Sequence, residues 1–166
     1  MNAIEKYREI KEGSHSTTIY VWGEANTSVC HLRFLDSIED GAIRLNGNGV
    51  GNLKKDLLFA FLKSKGFEPS ISGYILSQGA EPDSETCEYL TEWFTNLNFT
   101  DFIKELKKIN PEATIIIDEA ENINEMTLRG MAEALEGNYW LICGFGKPVK
   151  RMTFERFGNR IIIEPY

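Results

Sequence analysis

The stretch Ala113-Thr-Ile-Ile-Ile-Asp-Glu-Ala-Glu121 decides the predicted fold, because a short run of β-branched residues ends abruptly in two adjacent acids. An uninterrupted apolar run of this kind is typical of a strand buried on both faces, as in a parallel sheet covered by helices. Core packing does not require Asp118 and Glu119 at its carboxyl end. That edge of an open α/β sheet is where ligands usually bind. The two acids are therefore either functional residues or solvated residues where the strand leaves the core.

The composition is that of an ordinary globular chain with an acidic balance. The 166 residues are 42% hydrophobic and 26% charged, and the formal net charge is −7. Such an excess of acids argues against direct nucleic-acid binding, because phosphates are neutralised by Lys and Arg. Three widely spaced cysteines (Cys30, Cys87 and Cys143) predict reduced thiols rather than a zinc or disulfide framework. The sequence has no apolar run of membrane-spanning length and begins with a polar segment, so we expect a cytoplasmic protein.

Strand-like and helix-like segments alternate along the chain. Strands are predicted at residues 17–22, 42–45, 70–77, 139–143 and 160–163, in addition to the acidic strand. Helices are predicted at residues 2–12, from Thr27 or Ser28 toward Asp40, at 53–65, 84–96 and 100–109 with Thr100 as cap, and from Asn124 or Thr127 to Leu135. The alternation predicts a three-layer α/β domain with a central, mostly parallel sheet and helices on both faces, and the resemblance described below implies that it is of the P-loop NTPase type. An antiparallel meander over residues 17–47 is the alternative.

The domain organisation follows from the same pattern. We expect one domain over residues 1–166, with residues 1–16 as a lead-in. Residues 67–111 contain elements beyond the simple alternation, so this part of the chain is predicted to be an insertion. No lid domain is expected after Tyr166.

Several segments resemble the core of AAA+ type P-loop ATPases, in particular the replication-initiator and helicase-loader branch. The acidic strand looks like a Walker B motif, and Tyr139 to Gly144 stands where that family has its sensor 1 strand. Phe154 to Pro165 is similar to the family's closing pattern of an Arg-Phe pair, an apolar strand and a proline. The segment Ile19 to Glu24 resembles the entrance to a P-loop.

The resemblance implies roles for particular residues and for Mg-ATP as cofactor. Asp118 would hold Mg²⁺ and Glu119 would polarise an attacking water. Arg156 would act on a neighbouring subunit, as arginine fingers do. Alternatively, Arg156 or Arg160 would pair with one of the two acids and neutralise a site that no longer binds metal.

The loop after the first strand departs from the P-loop pattern GxxxxGK[ST]. When the pattern is aligned on Gly23, Ser28 replaces the second glycine, Val29 the lysine and Cys30 the hydroxyl residue. Glycines let backbone N–H groups approach phosphate, and the lysine supplies the countercharge. Gly23 and Ser28 would be the nucleotide-binding residues of this loop, which lacks that charge.

The sensor 1 strand departs from the family pattern as well. Cys143 or Gly144 stands where the family has a polar Asn or Thr. Each departure weakens nucleotide chemistry independently. Together they favour a degenerate member of the family that does not hydrolyse nucleotide and needs no cofactor.

A second glycine-rich loop, Asn46-Gly-Asn-Gly-Val-Gly-Asn-Leu-Lys-Lys55, lies between a strand and a long helix, as a phosphate loop does. Its cofactor-binding residues would be Gly47, Gly49, Gly51 and Lys54, with the helix N-terminus contributing. The P-loop spacing is not met, because Asn occupies both the first glycine and the lysine positions. A glycine-rich loop is also a common way to make a tight turn.

Three functional hypotheses follow. The first is a protein-binding assembly or regulatory subunit of a replication or mobile-element machine, whose partner is a related ATPase or a second copy of this chain. The second is an active, divergent Mg-dependent NTPase or kinase that uses the second loop with Asp118 and Glu119. The third is an acidic inhibitor or immunity-type protein that blocks a basic partner, which the net charge of −7 suggests.

Overall fold

The computed structural model describes residues 2–13, 17–23, 28–38, 41–146 and 159–163. By its internal contacts the chain divides into two compact units, Met1–Gly49 with Ala113–Tyr166, and Val50–Glu112. The second unit contains the segment 67–111 that the sequence predicts as an insertion, and it also includes the long helix before that segment.

The bounds of the elements follow the predicted alternation closely. The helices are α1 (Ala3–Gly13), α2 (Ser28–Ile38), α3 (Leu53–Ser64), α4 (Ile71–Ser77), α5 (Ser84–Thr95), α6 (Phe99–Ile109) and α7 (Glu125–Leu135). The strands are β1 (Thr18–Gly23), β2 (Ile43–Asn46), β3 (Thr114–Asp118), β4 (Trp140–Phe145) and β5 (Asn159–Ile163). Short 3₁₀ turns follow β2 at Gly47–Gly49 and β3 at Ala120–Asn122.

The five strands form one sheet in the order β2-β3-β4-β1-β5, and every pair of neighbours is parallel. The meander alternative for residues 17–47 is therefore wrong, since β1 and β2 are parallel and separated by two other strands. Helix α2 connects β1 to β2, which lies toward one edge of the sheet, whereas α7 connects β3 to β4 in the opposite direction across the sheet. Because parallel crossovers are right-handed, α2 and α7 lie on opposite faces of the sheet.

Side-chain packing agrees with this arrangement. Ile19 and Val21 of β1 pack with Phe34 and Leu35 of α2, in a buried cluster that also includes α1. Tyr20, between them in sequence, points to the other face, because side chains alternate along a strand. The predicted fold class, a three-layer α/β arrangement around a parallel sheet, is thus confirmed for the first unit.

The second unit corrects two local predictions. Residues 70–77 were predicted as a strand, but Ile71–Ser77 form helix α4, and the Ser70 side chain accepts a hydrogen bond from the Gly73 N–H at 3.0 Å. The stripe formed by Ile71, Tyr74 and Ile75 has helical spacing, although each of these residues also has a high strand propensity. Helix α6 is capped by Asn98, not by the predicted Thr100, which lies within its first turn.

Polar groups inside the second unit are paired with one another. The Tyr74 hydroxyl donates to the buried Glu105 carboxylate, which also binds Lys108 Nζ at 3.0 Å. Burial and this hydrogen bond raise the pKa of Tyr74. Over the parts of the chain that the structure describes, no helix is both long and apolar enough to cross a membrane.

Candidate functional site

Asp118 lies at the carboxyl end of β3, where the sequence predicts it, and its side chain is only 11% exposed. In the register of β2 and β3, Arg44 is opposite Ile116 and Asn46 is opposite Asp118. Arg44 and Asp118 are therefore diagonal neighbours on the same face of the sheet. Arg44 Nε donates to Asp118 Oδ2 at 2.5 Å, and Arg44 Nη2 donates to Asp118 Oδ1 at 3.1 Å. Both carboxylate oxygens are thus bound by one guanidinium.

The same guanidinium reaches a second carboxylate. Arg44 Nη1 donates to Asp36 Oδ1. Asp36 lies near the end of helix α2, and its side chain is 65% exposed. The hydrogen bonds that Arg44 donates to Asp118 have the largest influence on the pKa of Arg44 and raise it, while burial acts in the opposite direction. Arg44 is therefore charged at every accessible pH and joins α2, β2 and β3.

This arrangement does not fit Mg²⁺. Magnesium needs an octahedral set of oxygen ligands, and in nucleotide sites it is usually bound through one or two carboxylates and the substrate phosphates. Both Asp118 oxygens face the guanidinium, so the direction from which a metal would bind already holds a positive charge. The sequence predicts Arg156 or Arg160 as the partner of Asp118 or Glu119; the side chains of both arginines lie outside the described residues, and the partner that the structure shows for Asp118 is Arg44. A charged residue in the otherwise apolar segment 42–45 was the signal, since a cation beside a buried strand needs a partner.

Glu119 forms the turn after β3. Its backbone is in the left-handed region, with φ 49° and ψ 44°, which costs a residue with a side chain about 1–2 kcal/mol. Its carbonyl accepts a hydrogen bond from the Asn122 N–H at 3.0 Å. Within the described ranges its partly exposed carboxylate has no hydrogen-bond donor. Two residues further on, both oxygens of Glu121 accept from the Gly146 N–H, at 3.0 and 3.2 Å, which ties this turn to the end of β4.

The glycines of the second loop have different environments. Gly47 is buried, and a Cβ added to it would lie 2.4 Å from the carbonyl oxygen of Glu119. At Gly49 and Gly51 an added Cβ would meet nothing within 4 Å. The Gly51 N–H and the Asn52 N–H donate to Asp56 Oδ2 at 3.1 and 3.2 Å. An internal carboxylate therefore already occupies N–H groups at the start of α3 that an anion would use.

Lys54 is engaged within the second unit. Its Nζ donates to the carbonyl oxygen of Leu97 at 2.7 Å and lies 4.0 Å from the centre of the Phe99 ring. Burial lowers the pKa of Lys54. Lys54, the predicted phosphate-binding lysine, thus has a structural role in the second unit.

The remaining predicted residues belong to the first strand, the sensor strand and the C-terminal segment. Gly23 ends β1 and is paired with Ile163 of β5, and Ser28 begins α2. Residues 24–27 between them lie outside the described residues, as do Arg156 and the side chains of Ser28, Val29 and Cys30. Cys143 is fully buried in β4, and burial raises the pKa of its thiol.

Comparisons with models of known protein families and with curated proteins give no match for this chain. The class of protein is therefore the one that fold and site define. It is an α/β protein with a parallel sheet, in which an arginine from the neighbouring strand neutralises the acid at the carboxyl end of β3.

Proposed function

We propose that this chain is a non-hydrolysing protein with an AAA+-like P-loop fold that acts as a protein-binding assembly or regulatory subunit. The observation that carries the proposal is the two-point contact between Arg44 and Asp118. In an active enzyme of this type the acid at the end of the strand must be free to hold Mg²⁺ beside the phosphates. Here its charge is used to hold the sheet and α2 together.

The sequence of the first loop supports the same conclusion. Val29 stands where the phosphate-binding lysine would be. Losing one partner of a buried charge contact typically costs about 2–5 kcal/mol. At about 1.4 kcal/mol for each tenfold change in affinity, this loss alone would remove the micromolar binding of a triphosphate.

The contacts of Lys54 argue against the active NTPase or kinase. To reach a phosphate, Lys54 would have to give up its contacts with the Leu97 carbonyl and the Phe99 ring. The Asp56 carboxylate would also have to release the N–H groups of Gly51 and Asn52. Both changes would break stabilising contacts before any contact to nucleotide was formed. For the inhibitor hypothesis, the net charge of −7 remains the sole support.

The proposed partner is a related ATPase or a second copy of this chain, in the cytoplasm. An excess of basic residues near the C-terminus of an acidic chain supports a charged contact with that partner: Lys147, Lys150, Arg151, Arg156 and Arg160. The wide spacing of the three cysteines, which predicts reduced thiols, supports the cytoplasmic location. Direct contact with nucleic acid is not part of the proposal, because the overall charge is negative.

Titration calorimetry with ATP and ADP, with and without Mg²⁺, tests the proposal together with an assay of phosphate release. We expect no binding in the micromolar range and no turnover. Tight Mg-ATP binding would contradict the degenerate assignment. In that event Lys54→Ala would identify the site: loss of binding would assign it to the second loop, with Lys55→Ala as the matched control.

A further inference from the structure

The negative charge of this chain is concentrated in one part of the sequence. Residues 66–103 contain seven Asp and Glu residues and no Lys, Arg or His. The other 18 acids of the chain are balanced by its 18 Lys and Arg, so the whole formal net charge of −7 belongs to this stretch. The stretch lies within the second compact unit, Val50–Glu112, where helix α5 carries three of the seven acids.

Helix α5 has one packed face and one open face. Phe94 is only 2% exposed, and its ring lies 6.3 Å from that of Phe59 on α3 and 5.9 Å from that of Tyr74 on α4. At about 3.6 residues per turn, positions 85, 88, 89 and 92 all lie more than about 100° from Phe94 around the helix. All four residues are exposed, Tyr89 by 65%. No described residue covers this side of α5.

The open face consists of a tyrosine among carboxylates. Residues three or four apart are neighbours on a helix, which puts Glu85 and Glu92 on either side of Tyr89, with the partly exposed Trp93 one turn further. Glu88 and Glu92 are also four apart, and like charges at this spacing destabilise a helix. None of the three acids has a salt bridge within the described ranges. The face therefore combines unneutralised charge with a large exposed ring.

Helix α1 shows that acids on an exposed helix of this chain can be balanced locally. It has three exposed acids and three bases: Glu5, Glu9 and Glu12, with Lys6, Arg8 and Lys11. Helix α5 has the same number of acids and no Lys or Arg. The cation that would neutralise α5 is thus missing from the helix itself.

We propose that the face formed by Glu85, Glu88, Tyr89 and Glu92, the α5 face, is a docking surface for an arginine-rich segment of another protein. Carboxylates accept paired hydrogen bonds from the guanidinium fork, and its plane stacks on aromatic rings. A cation over the face of Tyr89 would add a cation–π contact, which an ammonium makes less often. Exposed aromatic residues are also enriched where proteins bind one another.

Other occupants suit the α5 face less well. Nucleic acids and anionic membranes have the same sign of charge as this face and would be repelled. A second copy of this chain has the same net charge of −7, so two copies repel each other at long range. An arginine-rich protein segment is attracted at long range and is matched by the side chains at contact.

Because it gives the chemistry of the partner, this assignment rests on the proposed protein-binding function. It goes further in naming a second surface, opposite in charge to the basic residues near the C-terminus. A partner that contacted both surfaces would present arginines to α5 and acids to that basic segment.

A short fluorescent oligoarginine peptide is the probe, and fluorescence anisotropy measures its binding to the full chain. The test variants are Tyr89→Ala and a triple variant with Glu85, Glu88 and Glu92 changed to Gln. We expect the triple change to weaken binding at least about tenfold, and Tyr89→Ala to weaken it about threefold without any change in charge. An oligolysine peptide of equal length should bind the wild type more weakly than oligoarginine.

The matched control removes the same charge from another exposed helix. A triple variant with Glu5, Glu9 and Glu12 of α1 changed to Gln should bind oligoarginine like the wild type. Circular dichroism checks that every variant has the wild-type fold. In the nitrogen-15 NMR spectrum of the wild type, the amide shifts caused by the peptide should be largest in residues 84–95.

Two results would overturn the assignment. Equal weakening by the α1 and α5 triple variants, or unchanged binding by Tyr89→Ala, would show attraction by overall charge and no docking surface. Self-association of the chain in sedimentation that the α5 triple change abolishes would give the α5 face to a second copy instead. Neither readout involves nucleotide. A failure here would leave the calorimetric test standing, and tight Mg-ATP binding there would contradict the non-hydrolysing assignment without altering the peptide result.

Discussion

A methyl group on Gly47 would lie 2.4 Å from the carbonyl oxygen of Glu119 and 3.1 Å from that of Asp118, so the turns after β2 and β3 touch through their backbones. Both contacted atoms belong to the main chain, and no side-chain rotation can relieve the overlap. This packing explains why a glycine stands at position 47, the first glycine of the loop from Asn46 to Lys55 that resembles a phosphate loop in sequence. A glycine is needed at this position because a Cβ would overlap the main chain of Asp118 and Glu119.

We predict that Gly47→Ala destabilises the protein by about 1–3 kcal/mol, the usual cost of forcing an added methyl group into packed structure. Gly49→Ala is the matched control two residues away, where an added Cβ meets nothing within 4 Å. Urea unfolding followed by circular dichroism measures both variants. Equal stability of the two variants would show that the turn after β2 shifts freely and that the close approach is not required.

Lys54→Met should lower the free energy of unfolding by about 1–2 kcal/mol, because it removes a charged hydrogen bond to the Leu97 carbonyl while keeping the apolar chain. Lys55→Met is the control. The Nζ of Lys55 lies 5.6 Å from the centre of the Phe59 ring, a weaker contact than that of Lys54 with Phe99. Nucleotide titrations of both variants should match the wild type. A change in nucleotide affinity with unchanged stability would return Lys54 to a phosphate-binding role.

The N-cap of α5 should make stability depend on pH. The Asp83 carboxylate accepts hydrogen bonds from the Thr86 N–H at 2.8 Å and the Thr86 hydroxyl at 3.0 Å, which lower the pKa of Asp83 from its ordinary 3.8. As the pH falls, the unfolded chain is protonated first. The contribution is therefore complete above the unfolded-state pKa and is lost as the pH falls through the lower folded-state pKa.

The measurement compares wild type with Asp83→Asn, which keeps an oxygen acceptor but cannot ionise. Near neutral pH the wild type should be the more stable of the two in urea unfolding. Their difference should shrink as the pH falls below the ordinary carboxyl range. A difference that stays constant down to the acid limit would mean that the charge of Asp83 does not contribute.

The basic segment near the C-terminus gives a prediction about the partner. Changing Lys150, Arg151 and Arg156 together to Ala should weaken capture of the partner in a pull-down from the native host, and wild-type capture should weaken with added salt. These residues lie outside the described part of the chain, so the prediction depends on their charge alone. We expect the thermal midpoint to stay nearly unchanged, because charged groups in contact with water typically add little to folding. Capture that survives the triple change at low and high salt alike would show that these three residues do not contact the partner.

Much of the first unit could be predicted because its signals are local. The run Ile115-Ile-Ile117 is typical of a strand buried on both faces, and the structure has it between β2 and β4. Gly137, with φ 80°, follows the Glu136 C-cap of α7, and a helix commonly ends at a glycine with positive φ. The second unit was harder, since residues 70–77 suit a strand by propensity and a helix by spacing. The cap at Ser70 and the packing of Gly73 against Glu68 decide in favour of the helix.

The sequence by itself determined the α/β class and the position of Asp118 and Glu119 at the end of a buried strand, because strand burial and alternation depend on neighbouring residues. Only the tertiary structure decided what these acids do. Arg44 is 74 residues from Asp118 along the chain, and nothing local to either residue specifies their contact. The parallel register of β2 on β3 brings the two together, with Asp36 of α2 on the third side. A strand order and a register are properties of the whole sheet, so the neutralised acid could be recognised only once the sheet was assembled.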